Sequence, residues 1–414
     1  MVLRGLLKLN ELRDRALKAL RKPAKYGPDL NLDKFEVDKP VVGGELPREV
    51  ASNVEKAFTR VGLSTTSPLG YLQVNEEAYY SAFQKVFSKY GVKVYPLKIA
   101  LEKFSLAREL AWSLIPPDTD KYTAKAFLEG GELGYFVYVP PGVNLPIPVY
   151  TCLVLTSEKK VQYTHNVVYV DRGSVAHVVT GCSVPHGLKG GLHIGISEFF
   201  VGENAKLTFS MLHAWSSGVH VRPRTAVKVK EGGEYLSYYV IYSPVASLQS
   251  YPIVYLNGRA STQMVSIVAG EGKGIYDVGG KAVLEGVESS AEIISRVMAK
   301  DNSIIYSRSE IEALEEDSRG HIECLGLLLN ENANIKTIPV LSSKVPGAQL
   351  THEAAIGMIA DKQIEYLMSK GFSEEEARAL ILKGFISVEA PKIPRTVKRE
   401  IDRLVKIIVE KAVG

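Results

Sequence analysis

The chain has 414 residues, 46% hydrophobic and 23% charged, with a formal net charge of only +4. That composition suits a globular protein with a large core and gives no reason to expect nucleic acid as the main partner. No apolar run approaches the ~20 residues that cross a bilayer. The opening "MVLRGLLKLNELRDRALKAL" is broken by Arg and Lys and lacks a signal-peptide core, so a cytoplasmic protein without membrane contact is expected. Three cysteines, Cys152, Cys182 and Cys324, with no CxxC pair, exclude a disulfide framework, a zinc ribbon and a four-cysteine cluster cage within one chain.

Residues 1–133 read as helical. Residues 6–20 are amphipathic and stop before Pro23. "PREVASNVEKAFTRVG" has Pro47 near its start and Gly62 at its end, the expected punctuation of a helix. "NEEAYYSAFQKVFSKYG" ends likewise at Gly91, and "IALEKFSLARELAWSLI" is stopped by Pro116 and Pro117.

From about Gly134 short Val-, Ile-, Tyr- and Thr-rich runs alternate with polar turns at Gly173, Asn204, Gly232, Gly258, Asn302 and Asn332. Most intervals are roughly 26 to 31 residues, and the long gap after Gly258 predicts a further degenerate turn near Glu288. Strands repeating at this period without intervening helices predict a β-helix or β-solenoid over residues 134–350. A hairpin sandwich would turn every 8 to 12 residues or so. Asn and Gly suit such corners because they tolerate left-handed backbone.

Residues 351–414 read as helical again. "ADKQIEYLMSKG" ends at Gly371, and Ser373 with Glu376 has the spacing of a capping box. A basic helix from Pro394 carries an apolar stripe of Ile401, Leu404, Ile407 and Ile408, which predicts a docking stripe on a solvated helix.

Two stretches carry candidate chemistry. In "GHIECLGLLLN" alternation places His321 and Glu323 on one face and Ile322 and Cys324 on the other. Beyond Cys324 both faces are apolar, which predicts a cover on the outside of this strand. "LTHEAAIG" places His352 beside Glu353, but position 356 is Ile, so the two-histidine zinc helix is excluded. Cys182 in "VVTGCSVPHG" has His186, His193 and Glu198 nearby in the chain. A free Cys is most often a small buried hydrophobe, and from the residues alone that reading stands beside a chemical one for all three thiols. "GIYDVGGKAV" has the wrong spacing for a phosphate loop, and no GxSxG occurs.

The segments "YFVYVPPGV", "VVYVDRGSVAHVVTGCSVPH", "GLHIGISEFFVGENAKLTFSMLHAWS", "RGHIECLGLLLN" and "LTHEAAIGMIADKQIEYLMSKGFSEEEARALILKGFI" resemble the SufB/SufD family of iron–sulfur cluster assembly scaffolds. The likeness runs from about Asp118 to Val388 and is closest to the compact archaeal members. It implies a right-handed parallel β-helix flanked by N-terminal and C-terminal helical domains. It implies an assembly scaffold, not an enzyme, that works with a separate SufC-type ABC ATPase held by the C-terminal helices. Pairing through the β-helix would give a homodimer or a SufB/SufD-like heterodimer. A sulfur donor and apo iron–sulfur proteins would be the other partners.

Position by position, the resemblance makes Cys324, His352 and Glu353 ligands of a transient, nascent iron–sulfur cluster and Cys182 the sulfur acceptor. Cys324 with Glu353 places the chain on the SufB side. A thiolate is the soft ligand such clusters prefer, and His can replace it on iron. Cys182 would need thiolate character from a neighbouring His or basic group. The chain departs from longer SufB members in having no cysteine before Cys152, and from bacterial ones in having His165 before "VVYVD". The alternatives are a SufD-like partner without ligands and, from the enzyme class, a β-helix polysaccharide-degrading enzyme. The latter needs an exposed acidic cluster that the repeat does not show.

Overall fold

The computed structural model describes residues 2–43, 48–61, 69–80, 84–130, 133–185, 187–387, 402, 405–406 and 409. The basic C-terminal stripe and His186 lie outside these residues. The chain forms a parallel β-solenoid of about 8 turns with helices at both termini.

One long sheet contains, in spatial and chain order, β1 (Leu69–Val74), β2 (Val149–Val154), β3 (Val175–Ser183), β4 (Lys206–Ala214), β5 (Glu234–Ile241), β6 (Ser261–Gly270), β7 (Ser290–Ala299), β8 (Arg319–Leu328) and β9 (Gln349–Met358). Each pairs in parallel with the next. The return strands form the facing sheet, which ends at Ile304–Ala313 and Asn334–Ser343.

Alternation sorts the side chains. Val178, Phe209, Ile293 and Ile322 fill the space between the sheets, while Val179, Leu212, Ile294 and Leu327 lie in a separate outer cluster. Burying apolar side chains on both faces is what a parallel sheet requires.

The corner leading into β3 to β9 turns on a left-handed residue each time. These are Gly173, Asn204, Gly232, Arg259, Glu288, Asp317 and Gly347, at intervals of 27 to 31 residues. Glu288 is the degenerate turn expected from the sequence. At Gly258 the positive φ falls instead on Arg259, one residue later. Asn302 sits beside Asp301, which has φ 60°, at the opposite corner, between β7 and the strand Ile304–Ala313. Asn332 precedes Asn334–Ser343, so it too belongs to that second corner.

The N-terminal segment holds helices α1 (Val2–Ala19), α2 (Arg48–Arg60), α3 (Gln84–Ser88), α4 (Leu97–Lys103), α5 (Ser105–Leu110) and α6 (Lys121–Lys125). Part of it is strand rather than helix. "NEEAYYSAFQKVFSKYG" divides into a strand, Glu77–Tyr80, and the short α3. The strand extends the sheet antiparallel to β1 and buries Ala78 and Tyr79, so sheet pairing overrides the helical spacing. The predicted helix through "IALEKFSLAREL" breaks at Phe104, which is extended and packs its ring on Tyr95 and Phe136.

At the other end the strand β9 runs to Met358, through residues expected at the start of the helical segment. Helices α7 (Asp361–Ser369) and α8 (Glu374–Ile386) follow, and Ser373 with Glu376 forms the expected capping box. Leu382 and Ile386 of α8 share the outer cluster with Leu327, so the double-sided apolar stretch of β8 has its cover.

Candidate functional site

The last two strands bring the C-terminal candidates together. Cys324 on β8 is fully buried and faces inward; Ser309 Oγ lies 3.5 Å from its sulfur. Burial pushes the thiol up, and the Ser309 and Ser307 hydroxyls and the Arg296 charge partly offset this. His321 and Glu323 are half-buried on the outer face, where Glu323 pairs with Arg296 at 2.6 Å and His321 Nδ1 meets Thr351 Oγ1 at 2.8 Å.

The register to β9 fixes the rest. Cys324 pairs with Ala354, Ile322 with His352, and Glu323 with Glu353. In a parallel ladder paired residues project to the same side. His352 therefore shares the inner face with Cys324, one diagonal step away, roughly 8 Å between Cα atoms from strand spacing and rise. Glu353 projects to the outer face beside Glu323. Both His352 and Glu353 are exposed, because no strand of the described residues pairs with the far edge of β9. The three ligands predicted from the resemblance thus straddle an edge strand. Among the described residues no group of three or more His, Cys, Asp or Glu is placed to hold a metal ion.

Cys182 lies at the other end, inside the solenoid on β3, five strands before Cys324, or about 24 Å along the stack. Burial pushes its thiol up. The cationic neighbour expected to make it a thiolate is not what surrounds it. His193 and His213 are fully buried in the same interior, and burial drives both well down, His193 to about 3, so both are neutral. His193 Nδ1 meets Gln162 Oε1 at 2.9 Å, and its ring lies 5.0 Å from that of Trp215. Glu198, close to Cys182 in the chain, sits on the outer face of its strand. There it accepts the backbone N–H groups of Trp112, Leu114 and Ile115 and meets His165 Nε2 at 2.8 Å. His165 thus anchors the segment after α5 and does not face the interior. Cys152 is fully buried in the outer cluster with Val54 and Phe58 of α2, as core.

Sequence reasoning did not single out His213, Trp215, Tyr239 or Ser309. The signal was present: in "FSMLHAW" the inward positions of a strand read Met, His, Trp after Phe, and a His in such a row is out of place. The inward row in register with Cys324 reads Thr180, Met211, Tyr239, Ser266, Ser295, then Cys324, and Cys182 lies on the neighbouring inward row, two residues after Thr180. Tyr239 and Ser266 line a narrow interior cavity of about 40 Å³.

The solenoid thus carries one inward thiol on an early coil and one on a late coil, and among the described residues its final strand is paired on one side only. Residues 153–385 match the family model described as SUF system FeS cluster assembly, SufBD core domain. The chain is 35% identical to an iron–sulfur cluster assembly SufBD family protein of Methanothermobacter thermautotrophicus over 96% of this chain and 98% of the relative. It is 40% identical to such a protein of Archaeoglobus fulgidus over 81% and 89% of the two chains. It is 27% identical to the iron–sulfur cluster assembly protein SufB of Bacillus subtilis over 94% and 86%. The chain belongs to the SufBD family of iron–sulfur cluster assembly proteins.

Proposed function

We propose that the chain is a SufB-like scaffold that assembles a nascent iron–sulfur cluster at the open end of its solenoid and passes it to apo-proteins in the cytoplasm. The observation that carries this reading is the position of Cys324, one strand in from the unpaired edge that bears His352 and Glu353. A thiolate and an imidazole then share one face of the coil, and Glu353 serves from the other. Ligands on both faces of an edge strand close around one cluster when the edge of a second chain, identical or SufD-like, lies alongside. A shared site of one thiolate and harder ligands suits a cluster that is cargo, because it holds less tightly than four thiolates.

Cys182 is the sulfur acceptor in this reading, and the route to Cys324 is the adjacent inward row through Tyr239, Ser266 and Ser295. A separate SufC-type ATPase docks on the C-terminal helices, where Tyr366, Met368, Phe372 and Leu380 are exposed apolar side chains. The test is anaerobic reconstitution of the chain, co-expressed with its ATPase, with ferrous iron and sulfide. The expected result is charge-transfer absorption and a cluster Mössbauer spectrum in the parent, both lost in Cys324→Ala. Equal spectra in the two would refute the site, and none in either would leave a SufD-like structural partner.

A further inference from the structure

We propose that His213 and Trp215 form a two-donor cradle for the outer sulfur of a persulfide carried on Cys182; this rests on the reading of Cys182 as the sulfur acceptor. Cys182 on β3 and His213 on β4 are direct register partners on the inward face, so their Cα atoms stand about 4.8 Å apart. Trp215 follows two residues later, just past the end of β4, and its ring lies 5.5 Å from that of His213 and 5.0 Å from that of His193. Cys182, His213 and Trp215 are each 0% exposed.

The tautomer of His213 depends on what faces its two ring nitrogens. Tyr239 OH lies 3.0 Å from His213 Nδ1. Burial keeps the phenol protonated and the imidazole neutral. Either direction satisfies that contact; when the hydroxyl donates to Nδ1, the single imidazole N–H lies on Nε2, the tautomer that an anion beside Nε2 favours. That N–H has no hydrogen-bond partner among the described residues, and neither has the indole N–H of Trp215. A buried unpaired donor costs roughly 1–3 kcal/mol, and native interiors contain few. Two of them in contact, beside one thiol, make a receptor for an acceptor that arrives later.

The acceptor that fits is a soft anion attached to Cys182. A persulfide is more acidic than the thiol it replaces, so its outer sulfur carries negative charge that two N–H groups can receive. Neutral donors hold such a charge without the permanent cation that would keep Cys182 ionised at rest. Trp215 also borders a surface cleft of about 720 Å³ lined by Arg60, Leu188, Lys189, Pro244 and Glu271. Arg60 braces that wall by donating to the carbonyls of Val184 at 2.6 Å and Trp215 at 2.7 Å.

The transfer step balances without an oxidant. The sulfur of Cys182 attacks the outer sulfur of a donor persulfide or polysulfide. A new sulfur–sulfur bond forms at Cys182 as the donor's breaks, and the donor leaves as a thiol with the bonding electron pair and the proton that Cys182 gives up.

The test loads the full chain anaerobically with sodium polysulfide, removes the excess, and follows Cys182 by peptide mass spectrometry for the mass of one added sulfur. The lifetime of that adduct is compared among the parent, Trp215→Phe, His213→Leu and His213→Gln, with thermal melting to verify folding. Trp215→Phe keeps the aromatic contact and removes only the N–H; His213→Gln restores a donor to the site. Loss of one hydrogen bond to a charged acceptor predicts a lifetime shorter by about tenfold in Trp215→Phe and in His213→Leu, and recovery in His213→Gln. Lifetimes equal to the parent in folded Trp215→Phe and His213→Leu overturn the cradle alone. No added sulfur on Cys182 in the parent overturns the cradle and the sulfur-acceptor reading together, while leaving the cluster site at Cys324 standing.

Discussion

At its first coils the solenoid is sealed: helix α2 covers the outer face of β2 and β3, and the segment after α5 is pinned across the facing sheet by the four contacts to Glu198. At its last coil the opposite holds. Nearly every residue of β9 is exposed, and the facing strand Asn334–Ser343 is mostly half-buried or exposed. Val340, Ile356 and Met358 present apolar surface there. A long flat edge is a liability in a protein that works alone. The same polypeptide that spends four hydrogen bonds on one buried carboxylate leaves its ten-residue final strand largely exposed at the other end, so stability is expected to reside in the first coils and association at the last.

The comparison can be broken at several points. Glu198→Ala removes the acceptor of three buried backbone donors and His165, and is expected to destabilise the fold by about 4 kcal/mol in urea denaturation. An effect below about 1 kcal/mol would mean that the sealed end is not where stability resides.

Glu76, also at the sealed end, is a buried carboxyl whose Oε1 accepts from the backbone of Tyr163. Burial, with the Asp38 and Glu129 charges adding, raises it from 4.5 to about 9. A carboxyl raised in the folded state adds stability that is fully present below about pH 4.5 and is lost as pH rises toward about 9. Glu76→Gln keeps the acceptor and removes the titration. It should flatten the pH dependence of the melting temperature across that window and gain about 2 kcal/mol at pH 8. A parent melting temperature independent of pH between 5 and about 9 would contradict this.

Thiol labelling sharpens the contrast directly. Cys324 lies one strand from an open edge, while Cys182 lies deep among closed coils. A maleimide should modify Cys324 at least about tenfold faster than Cys182 in the native chain, because local opening is easier at an unpaired edge. Equal rates would imply that only global unfolding exposes either thiol. The smallest expected effect is on stability in Ile356→Lys. A charge on the bare edge should change the chain's own stability by less than about 0.5 kcal/mol, while abolishing self-association measured by light scattering.

The regular part of this fold was legible because its signals are local and repeated. Corner residues at a near-constant spacing revealed the solenoid and even its disguised corner at Glu288, since each coil must reverse direction once per sheet. The mistakes came from non-local physics. Two corners of one coil use the same residue types, so Asn302 and Asn332 read as continuing a series that belongs to Glu288, Asp317 and Gly347. The strand at Glu77–Tyr80 exists because a sheet edge is waiting for it, which helical spacing does not reveal.

For the site, alternation put His321 and Glu323 on one face and Ile322 and Cys324 on the other, and the structure makes the second face the inner one. Alternation said nothing of β9, whose residues after Gln349 read as the approach to helices. The opposite projections of His352 and Glu353 emerge only from the register with β8. His213 and Trp215 were hidden for a different reason: their interest lies in what they lack, and a missing hydrogen bond is visible only when every neighbour is in place.

The measurement that tests the division of labour most directly is cluster assembly from two sulfur sources in Cys182→Ala and Cys324→Ala. With free sulfide, Cys182→Ala should build the cluster as the parent does, and Cys324→Ala should not. With a persulfide donor as the sole sulfur source, both should fail. A Cys182→Ala chain that assembles clusters equally well from the persulfide donor, or a Cys324→Ala chain that assembles them from sulfide, would contradict the assignment of sulfur reception to the sealed end and cluster building to the open one.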